Sequence, residues 1–302
     1  MQKAVIHWPS KKEDVDVYIT DVDDILKMMD MPFNGNHWTK PYARKYAEYQ
    51  KGRLENTDET NGYYPSFFGG YGFNMCKRAI KGDFNKAVDI DLAVQNNAEG
   101  YRDKLVSSVV GFAPNVGAYL AGRPDCMFRK DKVKVNAPTS IRLILFSPWH
   151  SDDEADTLMR SAERIAPTIV ALELAGRQVE AMLIEGTKYS RKGKCAYNIE
   201  CYVFKHFGER LNTGRTAFMC GTPDFIRKCG HTQICWKLDR NGFFNERLGY
   251  AVTVSSLKEF VSEAKLPMFR NSYAIDMRQL ANADDPKAYI AQCFNEGALF
   301  NY

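Results

Sequence analysis

A chain of 302 residues, 45% of them hydrophobic, can bury one large core or two ordinary ones, and no apolar run in it reaches the roughly 20 residues that cross a bilayer. Its first residues, MQKAVIHWPSKKEDVDV, lack the apolar stretch of a signal peptide, so a cytoplasmic protein is expected. The formal net charge of +4 does not by itself announce a nucleic-acid binder, and the eight cysteines fit reduced thiols, because no CxxC or zinc-ribbon spacing occurs among them.

In chain order, Val15–Thr20 alternates like a strand, and Asp21–Met29 follows as a short helix with an acidic first turn. The turn-rich stretch Met31–Asn36 breaks the pattern. Residues 36–82 then change in composition. Roughly a fifth are aromatic against 13% for the chain, and rings interleave with cations: Trp38, Lys40, Tyr42, Arg44, Lys45, Tyr46, Tyr49, Lys51 and Arg53. Tyr42, Tyr46 and Tyr49 share one helical face. A Gly/aromatic run with Tyr63, Tyr64 and Tyr71 follows, and then Lys77, Arg78 and Lys81. Its glycines are not a P-loop, since no Gly-Lys-Ser/Thr closes the run.

Two readings of this segment stand side by side. In one, the rings are core and the cations a solvated rim. In the other, the segment is a single-stranded nucleic-acid surface, where rings stack on bases at roughly 1–3 kcal/mol each and cations neutralise phosphates.

Asp83–Val94 reads as a helix, and Val116–Leu120 as one helical turn closed by Gly122. Arg129, Lys130, Lys132 and Lys134 lead toward the central strand, either as a lysine-guarded edge or as part of a binding face. Ile141–Phe146 is a nearly continuous apolar run, as expected of a strand covered on both sides. Ser151–Glu154 fits a capping box, and Ile165, Ile169, Leu172 and Leu174 mark a helical face that Pro167 is expected to kink or restart. Gly176 is a stop signal, and Val179–Ile184 is a second strand, parallel to the first through a right-handed crossover.

Lys188, Tyr189, Arg191, Lys192 and Lys194 read as a flexible basic loop, a second candidate for backbone contacts. Tyr197–Phe204 reads as a strand, Pro223–Lys228 as a short helix and Thr232–Leu238 as a strand. Cys229, His231 and Cys235 are either metal ligands or buried small residues of a strand pair. Ser256–Lys265 is a helix, Tyr273–Met277 a strand and Pro286–Asn295 a terminal helix. The fold class expected is mixed α/β, a central sheet with flanking helices and not an OB barrel. The expected division is an aromatic, basic region over 1–82 and an α/β core over 83–302, with one continuous domain as the alternative.

No GxSxG, HExxH or GxGxxG occurs, and the five histidines are isolated. The acidic cluster Asp152, Asp153, Glu154 and Asp156 suits a helix N-terminus for its dipole alone. No enzyme, metal or cofactor is therefore expected.

Two resemblances add to this reading. Residues 141–184, with Leu172, Gly176, Val179 and Glu180 at the turn into the second strand, resemble the start of a von Willebrand A-type domain. That family's metal motif needs Asp-x-Ser-x-Ser. Here Ser147-Pro148-Trp149-His150-Ser151 lacks the leading Asp, so the resemblance implies a protein-interaction module with a degenerate metal site. The stretch from Gly69 to about Leu238, above all Asn115–Met127, resembles the early single-stranded DNA-binding transcription cofactors of Schitoviridae-type phages. This second likeness implies single-stranded DNA as ligand, a phage RNA polymerase as protein partner, the host cytoplasm as location and no membrane.

Overall fold

The computed structural model describes residues 2–30, 39–41, 43–45, 47–48, 73–84, 104–110, 113–131, 140–147, 155–191, 194–230, 233, 236 and 250–299. Its centre is a mixed sheet. Strands β1 (Gln2–Trp8), β2 (Glu13–Asp21), β6 (Ser140–Phe146), β7 (Gln178–Arg191), β8 (Lys194–Lys205) and β10 (Ser272–Asp276) run side by side in the order β1-β2-β8-β7-β6-β10. A seventh strand, β9 (Tyr250–Ala251), pairs with β7 beyond the end of β6. β6 lies parallel to β7 and to β10, and β2 parallel to β8, while the β1–β2 and β7–β8 pairs are antiparallel. The fold is thus mixed α/β with a central sheet flanked by helices, and among the described residues no closed barrel occurs. Because β2 pairs with β8, residues from the first thirty share one sheet with the residues after 140.

The parallel unit forms for the reasons its sequence suggests. Leu143 and Leu145 of β6 enter one apolar cluster, while Ile144 and Phe146 enter the other, so both faces of the strand are covered. Helix α4 (Ala155–Leu174) returns the chain to β7 in parallel register, Ile141 opposite Val179 and Phe146 opposite Ile184. The helix closes in a Schellman arrangement. Gly176 has φ +82°, its N–H donates to the Glu173 carbonyl, and the Arg177 N–H donates to the Leu172 carbonyl.

Pro167 does not restart the helix, which runs through it. Buried neighbours on both sides, Ile165, Ala166 and Ile169, hold the backbone against the sheet. The Arg164 guanidinium also donates to the carbonyls of Leu280, Ala281 and Ala283 at 2.6–2.9 Å, which ties this turn to the chain end. Tertiary packing outweighs the local cost of the missing N–H.

One face of the sheet carries most of the helices. These are α1 (Val22–Met29), α2 (Phe73–Lys81), α4, α5 (Thr213–Gly221), α7 (Met277–Asn282) and α8 (Pro286–Asn295), all contributing to one cluster. The opposite face is covered by α6 (Val254–Ala264), with Leu257, Phe260 and Val261 against Trp8 and Phe146. A separate three-stranded antiparallel sheet, order β3-β5-β4, is built from β3 (Lys104–Ser108), β4 (Ala113–Pro114) and β5 (Met127–Asp131). The short helix α3 (Val116–Leu120) lies between β4 and β5 in sequence, and Gly122 closes it at φ +69°.

Three sequence expectations are corrected. Residues 188–191 and 194 belong to the strands of a long hairpin, not to a flexible loop: Lys188 pairs with Tyr197, Tyr189 with Ala196 and Arg191 with Lys194, because the two strands extend each other past the core. Within 232–238 the described residues Gln233 and Trp236 are helical, not extended. Cys229 likewise ends a π-helical turn, Phe225–Cys229, rather than lying in a strand pair. Arg129 and Lys130 sit on β5, where they pair with Val106 and Leu105 of β3 on one side, while the described pairing with β4 on the other side covers only Met127 and Phe128. Asp83 and Phe84 are not helical, and the remainder of the expected Asp83–Val94 helix lies outside the described residues, as do Met31–Asn36, Ser151–Glu154, Lys132 and Lys134.

Candidate functional site

The cations singled out from the sequence fall on two helical stretches and one hairpin. In the first, Ala43 and Ala47, one turn apart, are completely buried, while Lys40, Arg44 and Lys45 are exposed. In α2 the buried stripe is Cys76, Ala79 and Ile80; Arg78 and Lys81 are exposed and Lys77 half-buried. Each stretch therefore docks an apolar inner side and turns cations outward, as helical spacing requires. Lys77 reaches Asp30 at 3.1 Å, and Arg78 reaches Asp83 at 2.6 Å. On β7, Lys188 is exposed, with its ammonium 5.6 Å from the Tyr197 ring centroid.

Tyr189, Arg191 and Lys194 lie on the hairpin strands. Trp38, Tyr42, Tyr46, Tyr49, Lys51, Arg53, Tyr63, Tyr64, Tyr71 and Lys192 lie outside the described residues.

Among the described residues, the cations of α2 and those of the hairpin do not converge on one place. Arg215 donates to the carbonyls of Ile80 and Phe204, which fixes the end of α2 beside the end of β8. The hairpin tip at Lys194 is ten residues away along the same strand, about 33 Å at 3.3 Å per residue.

A second set of groups was not singled out from the sequence. On the helical face, β2, β8 and β7 bring polar side chains into register: Thr20 opposite Tyr202, and Glu200 opposite Glu185. The Tyr202 hydroxyl contacts Glu200 and lies 3.1 Å from Gln233. Gln233 in turn lies 3.2 Å from the Thr20 hydroxyl, and Asn198 donates to Glu200 at 2.8 Å. The single Tyr202 hydroxyl proton thus faces two acceptors, the Glu200 carboxylate and the Gln233 carbonyl oxygen, while the Gln233 amide N–H donates to the Thr20 hydroxyl.

Burial, then the charges of Glu200 and Glu185, push the Tyr202 phenol well above its ordinary range. Burial, then Asp224 and Glu185, do the same to the Cys229 thiol. Both groups therefore keep their protons at neutral pH, and neither is an ionised nucleophile.

At the same end, the Ser147 N–H donates to the Ile184 carbonyl, which makes Ser147 the ladder neighbour of Glu185 beyond β6. Its hydroxyl is buried and makes no hydrogen bond among the described residues. Next to it, β10 ends at Asp276, whose carboxylate caps α7 through the N–H groups of Arg278 and Gln279. The signal for this network is legible in retrospect. Asn198, Glu200 and Tyr202 alternate along one side of a strand whose other side, Tyr197, Ile199 and Cys201, is apolar. Gln233 and Asp224 join it only through the fold.

The chain belongs to a family described as a domain of unknown function (DUF7192). That family's model matches residues 11–294. No curated protein and no solved structure matches the chain. The family match spans both the outward cations and the polar network, so both are parts of the family domain.

Among the described residues, no group of three or more His, Cys, Asp or Glu is arranged to hold a metal ion. His206 is exposed beyond β8, and His150, His231 and Cys235 lie outside the described residues. No described helix is long and apolar enough to cross a membrane.

Proposed function

We propose that this domain binds single-stranded DNA without reading its sequence, and does so as a transcription cofactor rather than as an enzyme. The observation that carries this reading is the repeated design of the two helical stretches, where Ala43 and Ala47, then Cys76, Ala79 and Ile80, are buried and Arg44, Lys45, Arg78 and Lys81 face solvent. Cations fixed on docked helices neutralise phosphates without ordering a loop first. The aromatic residues of the same segment supply stacking chemistry by composition. A protein that prefers unpaired to paired strands shifts a promoter toward its open form by that difference in affinity. Held there, it would present its remaining surface to a polymerase, which the phage resemblance places in the host cytoplasm.

The test is fluorescence anisotropy with a labelled single strand of about 40 nucleotides, several binding-site lengths, against its duplex at two salt concentrations. The expected result is tight binding to the single strand, weaker binding to the duplex, and affinity that falls as salt rises. Absence of binding to either, or metal-dependent degradation of the strand, would overturn the reading. Replacing Tyr42, Tyr46 and Tyr49 with Ala should weaken binding while the circular-dichroism spectrum is kept. A triple variant that unfolds would assign those rings to the core.

A second reading, a von Willebrand A-like interaction module, is favoured by the sheet. β6 has a parallel neighbour on each side, with α4 on one face and α6 on the other, and ligands of such sheets lie outside the carboxyl ends of the strands. The buried Ser147 hydroxyl lies there. The donors described at that end do not fit a metal ion, so this reading predicts a protein partner gained without one. A partner that stays bound after nuclease and chelator treatment, on a chain that ignores DNA, would favour it over the first.

A further inference from the structure

Apolar side chains that face water concentrate in the small sheet. Of the eight large hydrophobic residues exposed among the described residues, five fall between Val109 and Leu120. Scattered exposed hydrophobics need no explanation, but a contiguous set marks a recognition surface. Helix α3 is amphipathic in the reverse sense: Val116, Tyr119 and Leu120, spaced i, i+3, i+4, are 60%, 69% and 78% exposed, while Ala118 faces inward at 6%.

The topology adds Val109 and Val110 to this face. Ser108 of β3 and Pro114 of β4 both pair with Met127 from opposite sides of β5, so Val109–Val110 and the start of α3 leave the sheet at the same end. The Asn115 N–H to the Cys126 carbonyl, 2.8 Å, and the Asn115 side chain on the Ala118 N–H, 3.2 Å, fix the helix there.

Charge decides what covers the face. Residues 102–134 hold seven Lys and Arg against three Asp, a net +4 equal to that of the whole chain. A second copy would bring like charges together. Among the described exposed residues of this face a single strand finds one ring, Tyr119, beside four aliphatic side chains that offer bases no flat surface to stack on. A five-residue helix is too short to lie in a membrane interface.

We propose that the outward face of α3, with Val109 and Val110, is a docking surface for an acidic, amphipathic segment of a partner protein. The segment's apolar side chains cover Val116, Tyr119 and Leu120, and its carboxylates are drawn by the net positive charge of residues 102–134. The surface does not depend on the nucleic-acid reading and stands if that reading fails.

The test replaces Tyr119 with the photo-cross-linking residue p-benzoylphenylalanine in the full chain, expressed in its native cells and irradiated. The expected result is one discrete cross-linked protein whose linked peptide, mapped by mass spectrometry, is rich in Asp or Glu and in Leu, Ile or Phe. Adding Leu120→Asp should cut the cross-linking yield at least about tenfold, because it places a carboxylate in an apolar contact. The thermal midpoint and the single-strand anisotropy should stay unchanged. A cross-link to a second copy of the chain, to nucleic acid or to a basic peptide would overturn the proposal. So would no cross-link above that of the same residue placed at the exposed Lys45, or loss of single-strand binding in a folded Leu120→Asp variant.

Discussion

The central sheet and the small sheet of residues 104–131 handle apolar side chains in opposite ways. In the first, Leu143, Ile144, Leu145 and Phe146 are all fully buried, because helices cover both faces of β6. In the second, the residues of α3 that should be inside by helical spacing point outward, and one small alanine does the inward packing. Apolar sequence in the first region is a statement about stability. In the second it is a statement about what the surface meets.

Substitution of one leucine in each region should show the contrast most strongly. Leu145→Ala opens a cavity in a core strand and should cost about 2–5 kcal/mol in urea denaturation. Leu120→Ala removes a side chain that is 78% exposed and should change stability by less than about 0.5 kcal/mol. Equal losses would mean that the small sheet has a core of its own and that its apolar residues are not recognition residues.

The buried thiols sharpen the same contrast through pH. Burial alone pushes Cys220 far above its ordinary range, burial with Glu200 does so for Cys201, and burial with Asp224 and Glu185 for Cys229. A raised folded-state pKa means the folded thiol keeps its proton while the unfolded chain ionises. Stability is then whole below the ordinary thiol pKa of about 8.5 and falls, as pH rises above it, by about 1.4 kcal/mol per pH unit for each such thiol. Denaturation between pH 7.5 and 10 should show this slope, and Cys220→Ala should remove about a third of the part owed to the three thiols. An unchanged slope in that variant would place Cys220 in contact with solvent.

Within the central sheet the exception is the polar network, and Tyr202→Phe tests it. Loss of the hydroxyl leaves Glu200 and Gln233 each short of a partner in a buried setting, at a cost of about 1–3 kcal/mol. If the variant is as stable as the parent, the hydroxyl contributes nothing to the fold, and the network is then better read as kept for binding.

How much of this was legible beforehand follows the range of the interactions. The unit β6–α4–β7 was, down to the left-handed Gly176, because its apolar runs and stop signal act over a few residues. So was the last helix, Pro286–Asn295, with Asp285 capping it through the N–H groups of Lys287 and Ala288. The hairpin through Arg191 and Lys194 was not: a charged Ser-Arg-Lys-Gly-Lys stretch reads locally as a loop, and its extended form depends on pairing across the two strands. That the helix would run on through Pro167 without a restart was not legible for a similar reason, since Arg164, one turn before it, is tied to carbonyls more than a hundred positions away. Of the candidate site, the cations were legible as composition. That Lys77 meets Asp30, 47 residues earlier, was not.

That last point sets the smallest expected effect. Exposed ion pairs such as Lys77–Asp30 and Arg78–Asp83 contribute about 0–1 kcal/mol, so Lys45→Ala, Lys81→Ala and Arg78→Ala should leave the fold within about 0.5 kcal/mol of the parent. Their effect belongs to binding. A cation that neutralises one phosphate of a single strand adds roughly 0.7 to the magnitude of the slope of log affinity against log salt. Loss of Lys45 or Lys81 should reduce the slope by about that much. Arg78→Ala should reduce it by less, because in the parent Asp83 competes with the phosphate for the guanidinium, at 2.6 Å. A larger drop for Arg78→Ala than for Lys45→Ala would mean that the strand displaces Asp83. Unchanged slopes in all three would separate these helices from the nucleic-acid surface altogether and leave the carboxyl ends of β6 and β10 as the place to look.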